Sequence, residues 1–349
     1  MLNVKLGFCG HQFLFALPAK EKEERRMNII ITGVSSFIGC ALARQLISEG
    51  YEVYGTVRPN SRHRARVDEI SRLHVIECDT SECEKLTDMN LPKMYACVHL
   101  SWDGTSKEGR QNSDINKDNE ANTLRMVRTA KELGCERFIL SGSQAEYGVT
   151  VEKVEAGRES GEPVAETHPC NPLSEYGKSK LKMLEECSRL CSELEMTYIH
   201  LRIFSIYGEG DRETTLTSSC VKTFCEGGHI ELTDCRQLWN MLNIKDCAKA
   251  ISDLISCVFT VPEEGKLTDH VVNIASEDTR TLREFVDEIH QKIGKGSCEF
   301  TRTNNSPEGT PYLNPDITKL KKLTGFIPQI SYGEGIENME NYFSGLEQS

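Results

Sequence analysis

The sequence predicts an α/β fold: a doubly wound parallel sheet with a smaller C-terminal α/β lobe. Three observations predict it. Short apolar, β-branched runs alternate with segments of helical period from residue 28 to residue 203. A glycine-bounded turn stands between the first such strand and the first such helix. After about Tyr207 the regularity weakens, and Gly, Thr and Glu become more frequent. Strands alternating with helices imply a parallel sheet covered on both faces.

The elements follow in order. Residues 28–32 (NIIIT) read as a buried strand. Residues 37–48 have helical periodicity through Ile38, Leu42, Ala43 and Leu46, and Gly50 suits the end of that helix. Residues 52–57 form a second strand and complete a βαβ unit. Further strands are expected at 73–78, 96–100, 137–140 and 197–203, with helices at 119–133 and 174–194. In the C-terminal third, 271–274 reads as a strand and 282–293 as a helix.

Composition narrows the function. The chain has 349 residues, enough for one large α/β domain and a smaller lobe, and 38% hydrophobic residues suffice for an ordinary core. A net charge of -12 argues against nucleic acid or an anionic membrane as partner. No apolar run reaches the roughly 18 residues of a membrane span. The 15 cysteines are scattered, with no CxxC pair and no Cys/His cluster at zinc spacing. They read as reduced thiols acting as small hydrophobes in a cytoplasmic protein, with no metal expected. The first 26 residues faintly resemble a signal peptide, but His11 and Gln12 interrupt the apolar stretch and a charged run leads to Met27. They are read as a disordered extension, with Met27 the functional start.

Residues 32–39 (TGVSSFIG) link the first strand to the first helix. Gly33 permits the tight turn, and the backbone N–H groups of Ser35, Ser36, Phe37 and Ile38 open toward a pyrophosphate at the helix start. Gly39 lets helix and strand pack closely. Inside a βαβ unit this predicts a Rossmann-type dinucleotide site. Ser36 stands at the usual second glycine. The second strand ends in Arg58 rather than an acid, and Arg62, Arg64 and Arg66 follow. A guanidinium there suits a ribose 2′-phosphate, so NADP(H) is favoured and NAD(H) stays possible. Asp79, after the third strand, is the expected partner of the adenine amino group.

Tyr176 and Lys180 lie four residues apart, on one face of a helix. A nearby ammonium stabilises the phenolate, so the pair can exchange a proton with a carbonyl or alcohol. Ser143, after the strand 137–140, is placed at the C-terminal edge of the sheet, where its hydroxyl can orient the reacting oxygen.

With these segments the sequence resembles the extended short-chain dehydrogenase/reductase family, of the NAD-dependent epimerase/dehydratase type. The resemblance covers residues 27–343 and rests on TGxxxxIG at 32–39, Ser143 to Gly148, and YGKSK at 176–180. It continues through Leu201-Arg202, Tyr207-Gly208, Asn243-Ile244-Lys245-Asp246, Asn273-Ile274-Ala275-Ser276 and residues 322–328. It implies that Tyr176 is the acid/base, that Lys180 holds the nicotinamide ribose, and that Ser143 orients the substrate. It also implies that His99, Leu100 and Ser101 line the nicotinamide, that Asn119 supports the site, and that the C-terminal lobe grips a nucleotide-sugar. On this reading residues 27–206 bind the dinucleotide and carry catalysis. Residues 207–349 mainly bind substrate, with some segments returning to the first domain.

Departures from the family pattern shape the function. Gln144 and Ala145 stand where the dehydratases carry Asp-Glu, and Glu146 is one position late and should point elsewhere. Trp239-Asn240 replaces a common Arg-Asp, which leaves Arg236, with Ser143 and Gln144, as expected substrate contacts. The favoured activity is NADPH-dependent reduction of a keto-sugar carried on a nucleotide. The alternative is NAD-dependent epimerisation of a nucleotide-sugar, and a minor one is a non-catalytic dinucleotide sensor. The resemblance also implies a homodimer through the Tyr–Lys helix, which carries Leu181, Met183 and Leu184, and the helix before it.

Overall fold

The computed structural model describes residues 27–148, 163–263, 265–302 and 313–346; the reading of residues 1–26 lies outside it. Seven parallel strands form the main sheet: β1 (Asn28–Thr32), β2 (Glu52–Val57), β3 (Leu73–Glu77), β4 (Ala96–His99), β5 (Arg137–Ser143), β6 (Thr197–Ile203) and, from late in the chain, β10 (Val271–Ile274). Their order is β10-β6-β5-β4-β1-β2-β3. The direction of winding therefore reverses at β1 and β4, and a ligand crevice opens beyond their C-terminal ends.

β1 shows why these residues make such a sheet. Ile29, Ile30 and Ile31 are all fully buried. Ile29 and Ile31 enter one core, and Ile30 the other, as the two-residue period of a strand requires. The first core takes Leu42 and Leu46 of helix α1 (Phe37–Ser48). The second takes Met126 and Val127 of α2 (Ser113–Glu132), and Met183 and Leu184 of α3 (Glu175–Glu193). Leu181 packs partly buried against that second core. Of the three α3 side chains considered for a dimer contact, Met183 and Leu184 are buried in the chain's own interior.

A third core joins α4 (Leu216–Cys225), α6 (Leu282–Ile293) and α7 (Tyr332–Leu346). Around it lie the small sheets β11-β9-β7 and β12-β8, built from β7 (Ser205–Tyr207), β8 (His229–Thr233), β9 (Leu238–Asn243), β11 (Thr279–Thr281) and β12 (Ser297–Arg302). Helix α5 (Ile244–Ser256) sends Ile251 and Leu254 back into the first core.

Two element boundaries differ from expectation. Helix α2 begins at Ser113, six residues before 119, because the Asn112 side chain caps it by accepting from the N–H groups of Asp114 and Ile115. Its polar first turns carry no apolar period. Strand β5 continues to Ser143 beside β6, so the ladder itself delivers Ser143 to the sheet's edge. Among the described residues no helix is long and apolar enough to cross a membrane.

Candidate active site

The crevice beyond β1 and β4 holds a groove lined by Gly33, Ser35 and Ser36, by Arg58, Ser61 and His63, by Cys78, Asp79 and Thr80, and by Leu100 to Asp103 with Asn119 and Asn122. Its floor is the turn into α1. Gly39 permits it: a Cβ there would stand 2.5 Å from Gly33 O and 2.7 Å from Val34 O. Ser36 caps α1, its Oγ accepting from Gly39 N at 3.1 Å, which accounts for a serine at the second glycine position. The Ser36 N–H, expected to face the pyrophosphate, instead donates to Gly33 O at 3.0 Å, closing the turn; the cradle closed to any side chain and the extent of the groove fit a dinucleotide.

Two side chains of this turn lie outside the groove. The Phe37 side chain lines a separate cleft with Arg44 and Arg66. Ile38 packs against the first core. Residues 37–39 can serve a cofactor only through their backbone.

At the far end of the groove Arg58 Nη1 donates to Asp103 Oδ1 at 2.8 Å, both side chains being well exposed. Asp103 is itself clasped by Asn119, which accepts from Asp103 N and donates to Asp103 O, each at 2.9 Å. Asn119 thus supports the site through the loop after β4. Arg58, Ser61, Arg62 and His63 surround a surface hollow of about 430 Å³ that reaches Asp79. The other arginines of this run serve elsewhere. Arg64 pairs with Asp68 and Glu77, and Arg66 lines the Phe37 cleft. Asp79 accepts from the N–H and Oγ of Ser81. Burial opposes its charge, but those hydrogen bonds win and hold its carboxyl below the ordinary value.

The catalytic candidates meet where β5 and α3 converge. Ser174 caps α3 by accepting from Gly177 N at 3.1 Å. Gly177 lets the helix start press on the turn after β5, since a Cβ there would lie 2.5 Å from Ala145 O. This contact brings Tyr176 beside Ser143, whose hydroxyl favours the phenolate. Lys180 is buried, and its Nζ donates to Ser141 O at 2.7 Å and lies 3.6 Å over the Trp102 ring. Burial pushes this ammonium down to about 7. Its Nζ stands 5.7 Å from the Tyr176 ring centroid.

The sequence reading expected Lys180 to depress Tyr176. In the structure burial dominates and raises the phenol, while Arg110 and the Ser143 hydroxyl pull it down. Arg110, which sequence reasoning missed, lies 4.5 Å over the Tyr176 ring. Trp102, also missed, meets that ring edge-on at 6.0 Å.

Glu146 does point away from the site, as its position suggested. It is buried, accepts from Ser143 N at 2.8 Å, and binds His200 Nε2 at 2.9 Å and Arg202 Nε at 2.8 Å. Burial alone would raise its carboxyl; the charge and hydrogen bonds of His200 and Arg202 outweigh this and hold it at about 2. His99, which also lines the groove, links Thr32 on β1 to Thr123 on α2, and burial pushes its imidazole down to about 3.

Beside Tyr176 a cavity of about 250 Å³ is lined by Arg110, Gln144, Ala145, Gly148, Leu173, Ser174, Trp239 and Leu313. Trp239 also walls a second cavity of about 280 Å³ with Tyr207, Asp211 and Thr215. Gln144 therefore stands at the site, its Oε1 buried with no hydrogen-bond partner and its Nε2 3.5 Å from Ser205 Oγ. Arg236 is exposed on the β8–β9 connection and lines neither cavity.

A sequence model described as the NAD dependent epimerase/dehydratase family matches residues 29–275. A UDP-N-acetyl-alpha-D-glucosaminuronate decarboxylase of Bacillus cytotoxicus is 23% identical over 91% of this chain and 98% of its own length. A UDP-glucose 4-epimerase of Thermotoga maritima, solved with UDP-glucose, superposes with a TM-score of 0.77 at 19% identity, covering 92% of this chain and 100% of that one. A UDP-glucuronic acid 4-epimerase of Bacillus cereus, solved with UDP-glucuronic acid and NAD, gives 0.72 at 22% identity, again over 92% and 100%.

Proposed function

Because the chain belongs to the NAD dependent epimerase/dehydratase family, we propose that it exchanges hydride between a bound nicotinamide dinucleotide and a sugar carried on a nucleotide, with epimerisation of the sugar as the net reaction. One observation carries this reading. Ser143 stands beside Tyr176 and favours its phenolate, Lys180 lies 5.7 Å from the same ring, and a cavity of about 250 Å³ lined by Arg110, Gln144, Ala145 and Ser174 adjoins them. The bound dinucleotide supplies a hydride acceptor and donor. The chain's own residues do the rest. Ser143 Oγ holds the sugar oxygen, and Tyr176 Oη takes its proton on oxidation and returns it on reduction. Arg110 brings positive charge to the phenolate. The cavity beside Tyr176 suits the sugar and the one beyond Trp239 suits the nucleotide. Gln144 and Ala145 offer no acid and base beside Ser143, which weighs against net loss of water. The relatives named as 4-epimerases of UDP-sugars support epimerisation.

A second reading, net reduction of a keto-sugar by NADPH, is favoured by one feature. The ribose end of the groove presents Arg58 and Arg62, with no acid directly after β2. The test is to denature the purified protein and identify the dinucleotide it releases. Retained NAD⁺ favours the epimerase; an empty site that prefers NADPH favours the reductase. Under that second reading Arg58→Ala should weaken NADPH binding about tenfold and leave NADH unchanged in fluorescence titrations. Equal weakening of both would count against it.

A further inference from the structure

We propose that Arg110 is a positioning residue for the acid–base step, a permanent cation laid on the face of Tyr176 that favours its phenolate. This rests on the reading of Tyr176 as the acid/base. The guanidinium carbon lies 4.5 Å from the Tyr176 ring centroid, within the range of a cation–π contact. It is the nearer of the two cations on that ring, since Lys180 Nζ stands at 5.7 Å. Lys180 is also engaged elsewhere, with Trp102 and with the Ser141 carbonyl. A buried lysine can lose its proton near neutral pH, and burial takes Lys180 to about 7. An arginine cannot lose its proton in that range.

Arg110 is not a chance visitor to the ring. The loop that carries it is tied at several points. Asn119 clasps Asp103 on both sides, and Asn116 accepts from Trp102 Nε1 at 3.2 Å. Asn116 Nδ2 also contacts Gly109 O, and Arg110 N donates to Ser106 O at 2.9 Å. Gly109 and Gly104 pack so closely that a Cβ on Gly109 would stand 2.5 Å from Gly104 Cα. Helix α2 thus presents Arg110 to helix α3 through the loop between.

The phenol is faced by charge from several elements. Arg110 comes from the loop before α2 and Arg212 from the segment between β7 and α4, and both favour the phenolate. Glu146, after β5, opposes it, and the Ser143 hydroxyl favours it. Lys180 lies on the tyrosine's own helix. Of the favouring charges Arg110 has the largest effect, though burial still exceeds it.

The test uses the cofactor-loaded enzyme with tyrosine labelled by ¹³C at Cζ. The Tyr176 signal is the one lost in Tyr176→Phe. In Arg110→Gln the Tyr176 titration should move to higher pH, and the acid limb of the oxidative hydride-transfer rate should move with it. At pH 7 the rate should fall about tenfold and recover as the pH rises. Arg110→Lys, which keeps a charge, should restore most of both. The proposal is overturned if the Tyr176 titration in Arg110→Gln matches the wild type, or if the rate falls equally at every pH. It is also overturned if Arg110→Lys behaves as Arg110→Gln. Failure of the underlying reading looks different: the titration moves as expected, but Tyr176→Phe keeps its turnover.

Discussion

Replacing Tyr176 by Phe is expected to lower turnover by about 10²–10⁴-fold while dinucleotide binding and fold stability stay near wild type. The substitution removes one hydroxyl. The ring keeps its contacts with Trp102 and Arg110, so the packing that fixes the α3 start survives. Ser143 keeps its cap on Ala145 N. What disappears is the phenol beside Ser143, the group to which the proposed function gives the proton of the sugar oxygen. Turnover on a nucleotide-sugar and dinucleotide titration, measured on the same preparation, separate the two effects. A Tyr176→Phe enzyme with turnover within a few-fold of wild type would remove the catalytic assignment.

The largest loss of stability is expected from Glu146→Ala, about 3–5 kcal/mol in urea unfolding. The carboxylate is fully buried between His200 and Arg202 and also receives Ser143 N. Its removal leaves the buried Arg202 without that counter-charge, although Arg202 Nη1 still reaches Glu166 O. The same group sets a pH dependence with a definite sign. Its folded value of about 2 lies below the ordinary 4.5, so its contribution is complete above about 4.5 and is lost as the pH falls toward 2. Wild type should therefore lose stability faster than Glu146→Gln between pH 4.5 and 2. Parallel curves across that window would show that Glu146 titrates normally.

The parts of the site legible in the sequence are those set by short-range spacing. The strand of isoleucines, the turn at 32–39 and the Tyr176–Lys180 pair each declare themselves within one element, because backbone period alone decides which side chains share a face. The site's remaining members are placed by contacts across long stretches of chain. Trp102 and Arg110 reach Tyr176 only because Asn116 and Asn119 on α2 hold their loop, and polar residues in a loop carry no period that reveals this. Phe37 and Ile38 enter the expected site through their backbone N–H groups alone. They belong to the phosphate-turn pattern by position, yet their side chains serve another cleft and the core.

Several segments that carried the family resemblance are structural ties rather than chemistry. Asn243 caps α5, and both carboxylate oxygens of Asp246 accept from the N–H groups of Gln329 and Ile330, docking the C-terminal segment. Asn273 joins Tyr147 to the carbonyls of Val164 and Asp316. These residues mark the fold as strongly as the catalytic ones do, since each satisfies buried polar groups. Arg236, chosen to replace a missing nucleotide contact, had no local pattern behind it, and it stands exposed away from both cavities.

Hydride exchange under the control of Tyr176 is the centre of this account, and deuterium transfer tests it most directly. Wild type and Tyr176→Phe are supplied with NAD⁺ and a panel of nucleotide-sugars deuterated at the sugar carbinol carbons, and the label is followed by NMR. The account predicts that in wild type, with at least one sugar, deuterium leaves a sugar carbon for the nicotinamide and returns to a sugar of changed configuration, and that Tyr176→Phe abolishes the exchange. Label that stays in place on every sugar in wild type, or that moves equally well in Tyr176→Phe, would contradict it.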